Sequence, residues 1–522
     1  MNRHPHNNTT SKHDVTVAAA INPFEKGYTR IAGLNLGCKT NRYETDAVLA
    51  DFESRGYDIV SFQDEADIYI INTCSVTGEA GRKSGQMVRR ARKKNPQAIV
   101  VAMGCHVELG AESLGADIIV GNIGKTKLPS LISTWLAKNP DPQTRERLNY
   151  RAFAGSLNAD KTPHFEEFGP QVIQSESRGI IKIQDGCNHF CTYCAIPLAR
   201  GRVRSRKPEL IIQEVENLAA RGFREMVLTG IHICSYGQDF GEADAAAAAA
   251  SAASHTDASI DDTEGRQSDA STEAAATEPR GDGLDLIRLL EQMAAVPGVE
   301  RIRLGSVEPK SVTPEFARRL GRIAAICPHV HLSLQSGSDA VLRRMNRKYS
   351  TAEYRDAVRA LREHLPGLNL TTDLIVGFPG ETEAEHRESL DFCAEMGFGR
   401  IHVFRYSARE GTAAAKFKGQ VAPEIVTRRS AEMHDLAAKL MLERQRSILG
   451  QEAEMLLESR DKDGNWIGYT AAYDMVGVCF AEGEKKDIGR EGDIWRVRLI
   501  EDSGDEIVAE AIECLSKGWI DS

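Results

Sequence analysis

Two sets of three cysteines carry most of the chemistry legible in this sequence. The first is compact. Cys187, Cys191 and Cys194 form a C-x3-C-x2-C pattern inside the stretch 181–206. A cubane iron–sulfur cluster needs a ligand on each iron beyond the sulfides, and cysteine thiolates usually supply it. One tight loop can bring three thiolates to such a cluster. The remaining iron is then open to a substrate or cosubstrate, as a catalytic zinc keeps one open position. A structural zinc loop is the competing assignment; it would need a further ligand, for which His189 could be recruited. The second set is dispersed. Cys38, Cys74 and Cys105 lie about 30 residues apart, each closing a short apolar run, and Gly precedes two of them.

Those runs are the elements that must position the second set. Ile31–Leu36, Ile68–Ile71 and Ile99–Met103 read as strands, with helical stretches over Glu44–Arg55 and Glu79–Lys94 between them. Asp117–Val120 reads as a further strand leading into a helix after Gly124. This alternation predicts an α/β domain with a Rossmann/flavodoxin-like parallel sheet. Ligands of open parallel sheets bind outside the carboxyl ends of the strands. Three thiols at three such ends would converge and could again hold a cubane with one open iron. Unrelated buried thiols are the alternative, since free cysteine is commonly buried.

A second α/β region must position the compact triplet. Strand Ile180–Ile183 delivers its loop, and strands Glu225–Leu228, Arg301–Leu304, His331–Leu334, Leu370–Val376 and His402–Tyr406 follow between helices. About six units predict a central partial (β/α)6 barrel with its chemistry on the carboxyl-end loops. From Gln451 to Ile520 short strands alternate with Gly and Asp turns, which predicts a small C-terminal β-barrel. The expected organisation is a polar disordered tail over 1–28, a first domain over 29–140, a linker over 141–175, the barrel over 176–446 and the small barrel over 447–522. Residues 241–282 hold scarcely an aliphatic side chain larger than Ala and read as a disordered insertion in a barrel loop.

Bulk properties narrow the class. The chain has 522 residues, 41% of them hydrophobic, enough for several cores. No apolar run approaches the 18 residues of a membrane span, and the polar start lacks a signal peptide, so a cytoplasmic protein is expected. Eleven cysteines are too few for a disulfide scaffold. Cys234, Cys327, Cys393, Cys479 and Cys514 lack ligand spacing and read as inert. A net charge of -10 excludes global attraction to nucleic acid, leaving only local patches. One candidate is the helix over Glu79–Lys94 with Arg82, Lys83, Arg89, Arg90, Arg92, Lys93 and Lys94; a solvated face is the alternative. Residues 450–522 carry 18 Asp/Glu against 8 Lys/Arg, poor for phosphate contact unless Arg496 and Arg498 make a basic face.

The wording of the motifs resembles one family. Leu36-Gly-Cys38-Lys-Thr-Asn-Arg-Tyr-Glu44, Asn72-Thr-Cys74-Ser-Val-Thr77, Met103-Gly-Cys105 and Ile183-Gln-Asp-Gly-Cys187-Asn188 are similar to the radical S-adenosylmethionine (radical SAM) methylthiotransferases. With Leu228-Thr-Gly-Ile-His232 they resemble the branch that acts on N6-threonylcarbamoyladenosine at position 37 of tRNA. The resemblance runs from about Arg30 to the C-terminus, apart from the insertion. It implies two [4Fe-4S] clusters. One, on Cys187, Cys191 and Cys194, would bind SAM and release a 5′-deoxyadenosyl radical. The auxiliary one, on Cys38, Cys74 and Cys105, would hold the sulfur to be donated, which a second SAM methylates. It implies an RNA-binding TRAM module at the C-terminus, the tRNA anticodon stem-loop as partner, a reducing electron donor and a sulfur donor of unspecified identity; a monomer is expected.

For SAM contacts the resemblance points to Tyr193 beside the adenine and to Thr229 and Gly230 facing the amino group. Ser333, Gln335 and Asp373 are weighed as substrate or cofactor contacts, with a buried polar partnership as the alternative for Asp373. Arg200, Arg202, Arg204, Arg206 and Lys207 follow the triplet and could meet RNA phosphate, the SAM carboxylate or the cluster's own negative charge. Arg343, Arg344, Arg347 and Lys348 form another basic group. Competing acceptors are isopentenyl-adenosine 37 of tRNA and an aspartate of a ribosomal protein. A non-catalytic iron–sulfur RNA-binding or electron-transfer protein is the reading from a different class.

Overall fold

A computed structural model describes residues 27–75, 78–110, 114–139, 145–151, 164–169, 177–240, 284–479, 488–504 and 506–518. The expected tail (but for its last two residues), the 241–282 insertion and most of the expected linker lie outside them.

The first domain is a six-stranded, wholly parallel sheet of strands β1 (Arg30–Asn35), β2 (Asp58–Val60), β3 (Ile68–Thr73), β4 (Ile99–Gly104), β5 (Ile118–Val120) and β6 (Leu148–Tyr150). Their order is β2-β1-β3-β4-β5-β6. Strands β3 and β4 are buried along their whole length. They read as unbroken apolar runs because both faces are covered. Alternate residues serve opposite cores: Ile68, Ile70, Ile99 and Val101 on one side, Tyr69, Ile71, Val100 and Ala102 on the other. Two strands were not foreseen. β2 is a three-residue edge, and β6 comes from the stretch read as linker, pairing Ile118 with Leu148 and Val120 with Tyr150. The sheet therefore continues past residue 140.

The central domain carries β7 (Gly179–Lys182), a short antiparallel pair β8 (Gln184–Asp185) and β9 (Arg204–Ser205), then β10 (Glu225–Thr229), β11 (Arg301–Arg303), β12 (His329–His331), β13 (Asn369–Val376) and β14 (Arg400–Arg405). Two parallel sheets, β11-β10-β7 and β12-β13-β14, are joined by bridges between Ile302 and Ile326 and between Val307 and Leu332. The result is a six-stranded partial barrel. Helix Lys39–Ser54 of the first domain packs beside β7. There Tyr43 Oη donates to Glu214 at 3.1 Å, and the Thr40 and Thr229 hydroxyls meet at 3.2 Å.

The C-terminal strands β15 (Glu452–Arg460), β16 (Trp466–Thr470), β17 (Met475–Cys479), β18 (Ile494–Asp502) and β19 (Ile507–Ser516) close a barrel in the order β15-β16-β17-β19-β18. Met455, Leu457, Val476, Val478, Val497 and Ile507 fill it. It docks on the amino ends of the central strands: Asn369, which opens β13, donates to Ala472 O at 2.9 Å, and the Tyr473 ring lies against His329, which opens β12.

Candidate cluster sites

The compact triplet sits on a loop that leaves the carboxyl end of β7 through β8. Gly186 makes the turn possible. Its φ is +71°, and a Cβ there would lie 1.9 Å from Arg202 O; only glycine fits. Gln184 ties this turn to the next strand end, donating to Gly186 O at 2.6 Å and accepting from the Ile231 and His232 amides at 3.0 and 2.8 Å.

Cys187, Cys191 and Cys194 then line a cavity of about 140 Å³ together with Tyr193, His189, His232, Glu308, Ser333, Gln335 and Arg347. Arg347 donates to Cys191 Sγ at 3.3 Å and to Glu308 Oε2 at 2.7 Å. Burial pushes the Cys187 thiol up to about 11 and Cys194 to about 12. Metal binding must therefore displace protons from these two ligands. Burial, with His232 stacked alongside at 4.5 Å, lowers the His189 imidazole to about 4 and keeps it neutral at pH 7. Gln335 holds a φ of +67°, a conformation uncommon outside glycine and concentrated at functional sites.

The dispersed triplet occupies three neighbouring strand ends. Cys38 precedes the first turn of helix Lys39–Ser54 after β1, Cys74 follows β3, and Cys105 follows β4. The pairings Asn35–Asn72 and Thr73–Gly104 bring these ends level. Strand order turns back between β1 and β3, and such a switch point is where doubly wound sheets bind ligands. Gly104 has φ +100°, and a Cβ would lie 2.3 Å from Asn72 Oδ1. Asn41 and Asn72 lock the helix to β3, Asn41 Nδ2 donating to Asn72 Oδ1 at 2.9 Å and Asn72 Nδ2 to Asn41 O at 2.9 Å.

The wall behind Cys105 is charged. Arg200 Nε donates to Cys105 Sγ at 3.2 Å, while the rest of the guanidinium meets Glu44, Asp185 and Asn41. Lys125 and Lys182 also pair with Glu44, and Lys182 and Arg204 with Asp185. Burial opposes the charge on Glu44, yet Arg200, Lys125 and Lys182 hold its carboxyl well below the usual range. Burial also raises the Cys105 thiol, with Arg200 and Lys125 pulling the other way.

Each set offers three thiols on strand-end loops, the ligand number that the motifs imply for a cubane with one open iron.

The other anticipated residues have these neighbours in the protein. Thr229 turns its hydroxyl to Thr40, Gly230 packs on Gln184, and Asp373 lies 3.3 Å from His331 Nε2. Arg200, Arg204 and Arg206, weighed as phosphate contacts, are at most 3% exposed. Arg206 pairs with Glu214 and Glu167. That expectation is corrected: their charged partners are carboxylates of this chain, Glu44, Asp185 and Glu214 buried and Glu167 about a third exposed. Arg202 is half-buried over the Phe190 ring at 4.7 Å. Arg89 and Arg90 are exposed with Arg82, Lys83 and Lys93 on one helix, whereas Arg496 and Arg498 are matched by Glu513 and Glu452. Lys125, Lys182 and Glu308 were missed, and Glu44 and Asp185 were quoted in motifs without a role; ion pairs between residues far apart in sequence leave no local pattern. Arg347 was seen only as part of a basic run.

Comparison with known proteins agrees with this geometry. Residues 30–121 match the family described as uncharacterized protein family UPF0004, and residues 181–393 the Radical SAM superfamily. The chain is 34% identical to the threonylcarbamoyladenosine tRNA methylthiotransferase MtaB of Bacillus subtilis, over 85% of this chain and 89% of that one. It is 33% identical to the protein of the same name from Aquifex aeolicus, over 84% and 95%. It is 32% identical to the tRNA-2-methylthio-N(6)-dimethylallyladenosine synthase of Moorella thermoacetica, over 82% and 87%. The chain belongs to the radical SAM methylthiotransferase family, in the threonylcarbamoyladenosine tRNA methylthiotransferase branch.

Proposed function

We propose that this protein transfers a methylthio group to carbon 2 of N6-threonylcarbamoyladenosine at position 37 of tRNA, acting as a monomer with two [4Fe-4S] clusters and two SAM molecules. The observation that carries the reading is the approach of the two cysteine sets, whose loops share the Arg200 guanidinium: it touches Cys105 directly and Asp185, two residues before Cys187. Carbon 2 of adenine offers no acidic proton to a general base, so the bond has to be opened by radical chemistry. When bound, the cluster of the compact triplet supplies the electron for SAM cleavage, and the auxiliary cluster supplies sulfur.

The chain's own residues hold and orient. Arg347 and Glu308 offer a cation and an anion to the zwitterionic end of an amino-acid cosubstrate in the cavity. Tyr193 offers an aromatic edge, and Ser333 and Gln335 close the far wall. The exposed cations Arg82, Lys83, Arg89, Arg90 and Lys93 flank the auxiliary set on the helix that begins after Cys74. They suit the phosphates of an anticodon stem, while the target base, unpaired in its loop, can be splayed into a site. The relatives named for a dimethylallyl acceptor keep that acceptor as the second reading.

Nucleoside mass spectrometry of bulk tRNA from cells with and without the gene tests the proposal. Loss of 2-methylthio-N6-threonylcarbamoyladenosine alone is the expected result. Loss of the dimethylallyl form instead reassigns the acceptor, and persistence of every methylthio nucleoside takes tRNA away as substrate.

A further inference from the structure

Among the described residues, the wall behind Cys105 is a network of buried ion pairs. Lys125, Lys182, Arg200 and Arg204 meet Glu44 and Asp185, all six side chains 5% exposed or less. Glu108 accepts from the Asn122 amide nearby at 2.8 Å. Buried charge is costly unless matched by opposite charge in good geometry. Arg200 is the best placed of the four. Its Nη groups reach Glu44 Oε1 at 2.8 Å, Asp185 Oδ1 at 3.0 Å and Asn41 Oδ1 at 2.8 Å. Its Nε hydrogen is spent on Cys105 Sγ at 3.2 Å. A fully buried guanidinium that aims a donor at a thiol sulfur is matched by an anion on that sulfur. Asn41, held by Arg200, also accepts from Cys38 Sγ at 3.4 Å, so the same group reaches toward a second thiol of the set.

We propose that the Arg200-centred network is the built-in counter-charge of the centre on Cys38, Cys74 and Cys105. The positive charge that Arg200 holds against Cys105 favours each added negative charge at that centre, whether an electron or a sulfur anion on its open iron. Arg200 also fixes the distance of that centre from the compact triplet, because Asp185 anchors both Arg200 and the Gly186 amide. Arg200 is thus a positioning residue, acting through the cysteine it touches. Hydrogen bonds and charge around ligand sulfurs are among the factors that set cluster potentials. The inference rests on the two-cluster reading given above.

The test uses the full chain with Cys187→Ala, Cys191→Ala and Cys194→Ala combined, reconstituted anaerobically, so that iron is held by the other set alone. In an EPR-monitored redox titration, Arg200→Gln is expected to move the midpoint potential of the remaining cluster to more negative values. Arg200→Lys, which keeps the charge, is expected to bring it back toward the parent value. A midpoint unchanged in Arg200→Gln overturns the proposal, and so does a Lys variant displaced as far as the Gln one. Should Arg200→Gln fail to fold, Arg204→Gln decides: a smaller shift of the same sign supports the counter-charge, and no shift overturns it. If the parent triple variant binds no iron, the cluster assignment itself fails, which separates that failure from a failure of the Arg200 argument.

Discussion

Around Cys187, Cys191 and Cys194 the wall is aromatic and neutral, with Arg347 and Glu308 as its paired charges. Around Cys105 it is a lattice of buried ion pairs with the Arg200 guanidinium against the thiol. The thiol count is the same and the surroundings are opposite. A cluster that must give up an electron to a bound cosubstrate gains from a wall that does not stabilise added negative charge. A cluster that must hold anionic sulfur gains from one that does. On the proposed two-cluster reading, the outer environment, more than the ligand set, divides the labour between two like centres.

The strongest way to break the comparison is to remove one set. Reconstituted protein should carry about eight irons, and Cys38→Ala, Cys74→Ala and Cys105→Ala together should leave about four, one cubane. Iron analysis that finds no drop would dissolve the second centre. Next in size is the charged wall. Glu44→Gln leaves three cations without their shared carboxylate, and breaking such a buried network costs about 3–5 kcal/mol; chemical denaturation measures it. The same group gives a pH signature. Its folded pKa is depressed, so its contribution is complete above the unfolded value of about 4.3, declines as pH falls below it, and is gone once pH passes the folded value. The wild type should therefore lose stability on acidification more steeply than Glu44→Gln, and parallel curves would refute the assignment.

In the compact site, Arg347→Met removes a charge-assisted donor from the cavity and should weaken SAM binding about tenfold or more, the equivalent of roughly 1.5–3 kcal/mol. Equilibrium dialysis against labelled SAM would show it. On the surface, Arg89→Ala with Arg90→Ala should reduce tRNA affinity and flatten its log–log salt dependence by up to about 0.9 for each phosphate no longer neutralised. The smallest effect belongs to Arg496→Ala with Arg498→Ala. Both side chains are already paired with exposed carboxylates, and such pairs are worth about 0–1 kcal/mol. A large drop in tRNA binding there would return the terminal barrel to the RNA interface.

Local patterning made much of this architecture readable. Apolar runs ending in Gly-Cys announced β1 and β4, and the C-x3-C-x2-C spacing announced a closed loop, because both signals are contained within a few residues. The 200–206 arginines misled for the opposite reason. Four guanidiniums at alternate positions look solvent-facing until their partners are known, and those partners lie far away in sequence: Glu44 is 156 residues from Arg200. Nor does a three-residue strand such as β6, with Asn149 exposed between Leu148 and Tyr150, leave a period to detect.

The pairing of Glu44 with groups from both domains also imposes an order on synthesis. Lys125 is translated soon after Glu44, in the same domain, but Arg200 follows about 75 residues later, roughly 4–15 s at usual elongation rates. Through that interval the nascent first domain has Glu44 and Lys125 for each other and water for the rest. Lys182, Asp185, Arg200 and Arg204 all arrive with the next domain, so the seam can dry only when the barrel's first strand has been made and has docked.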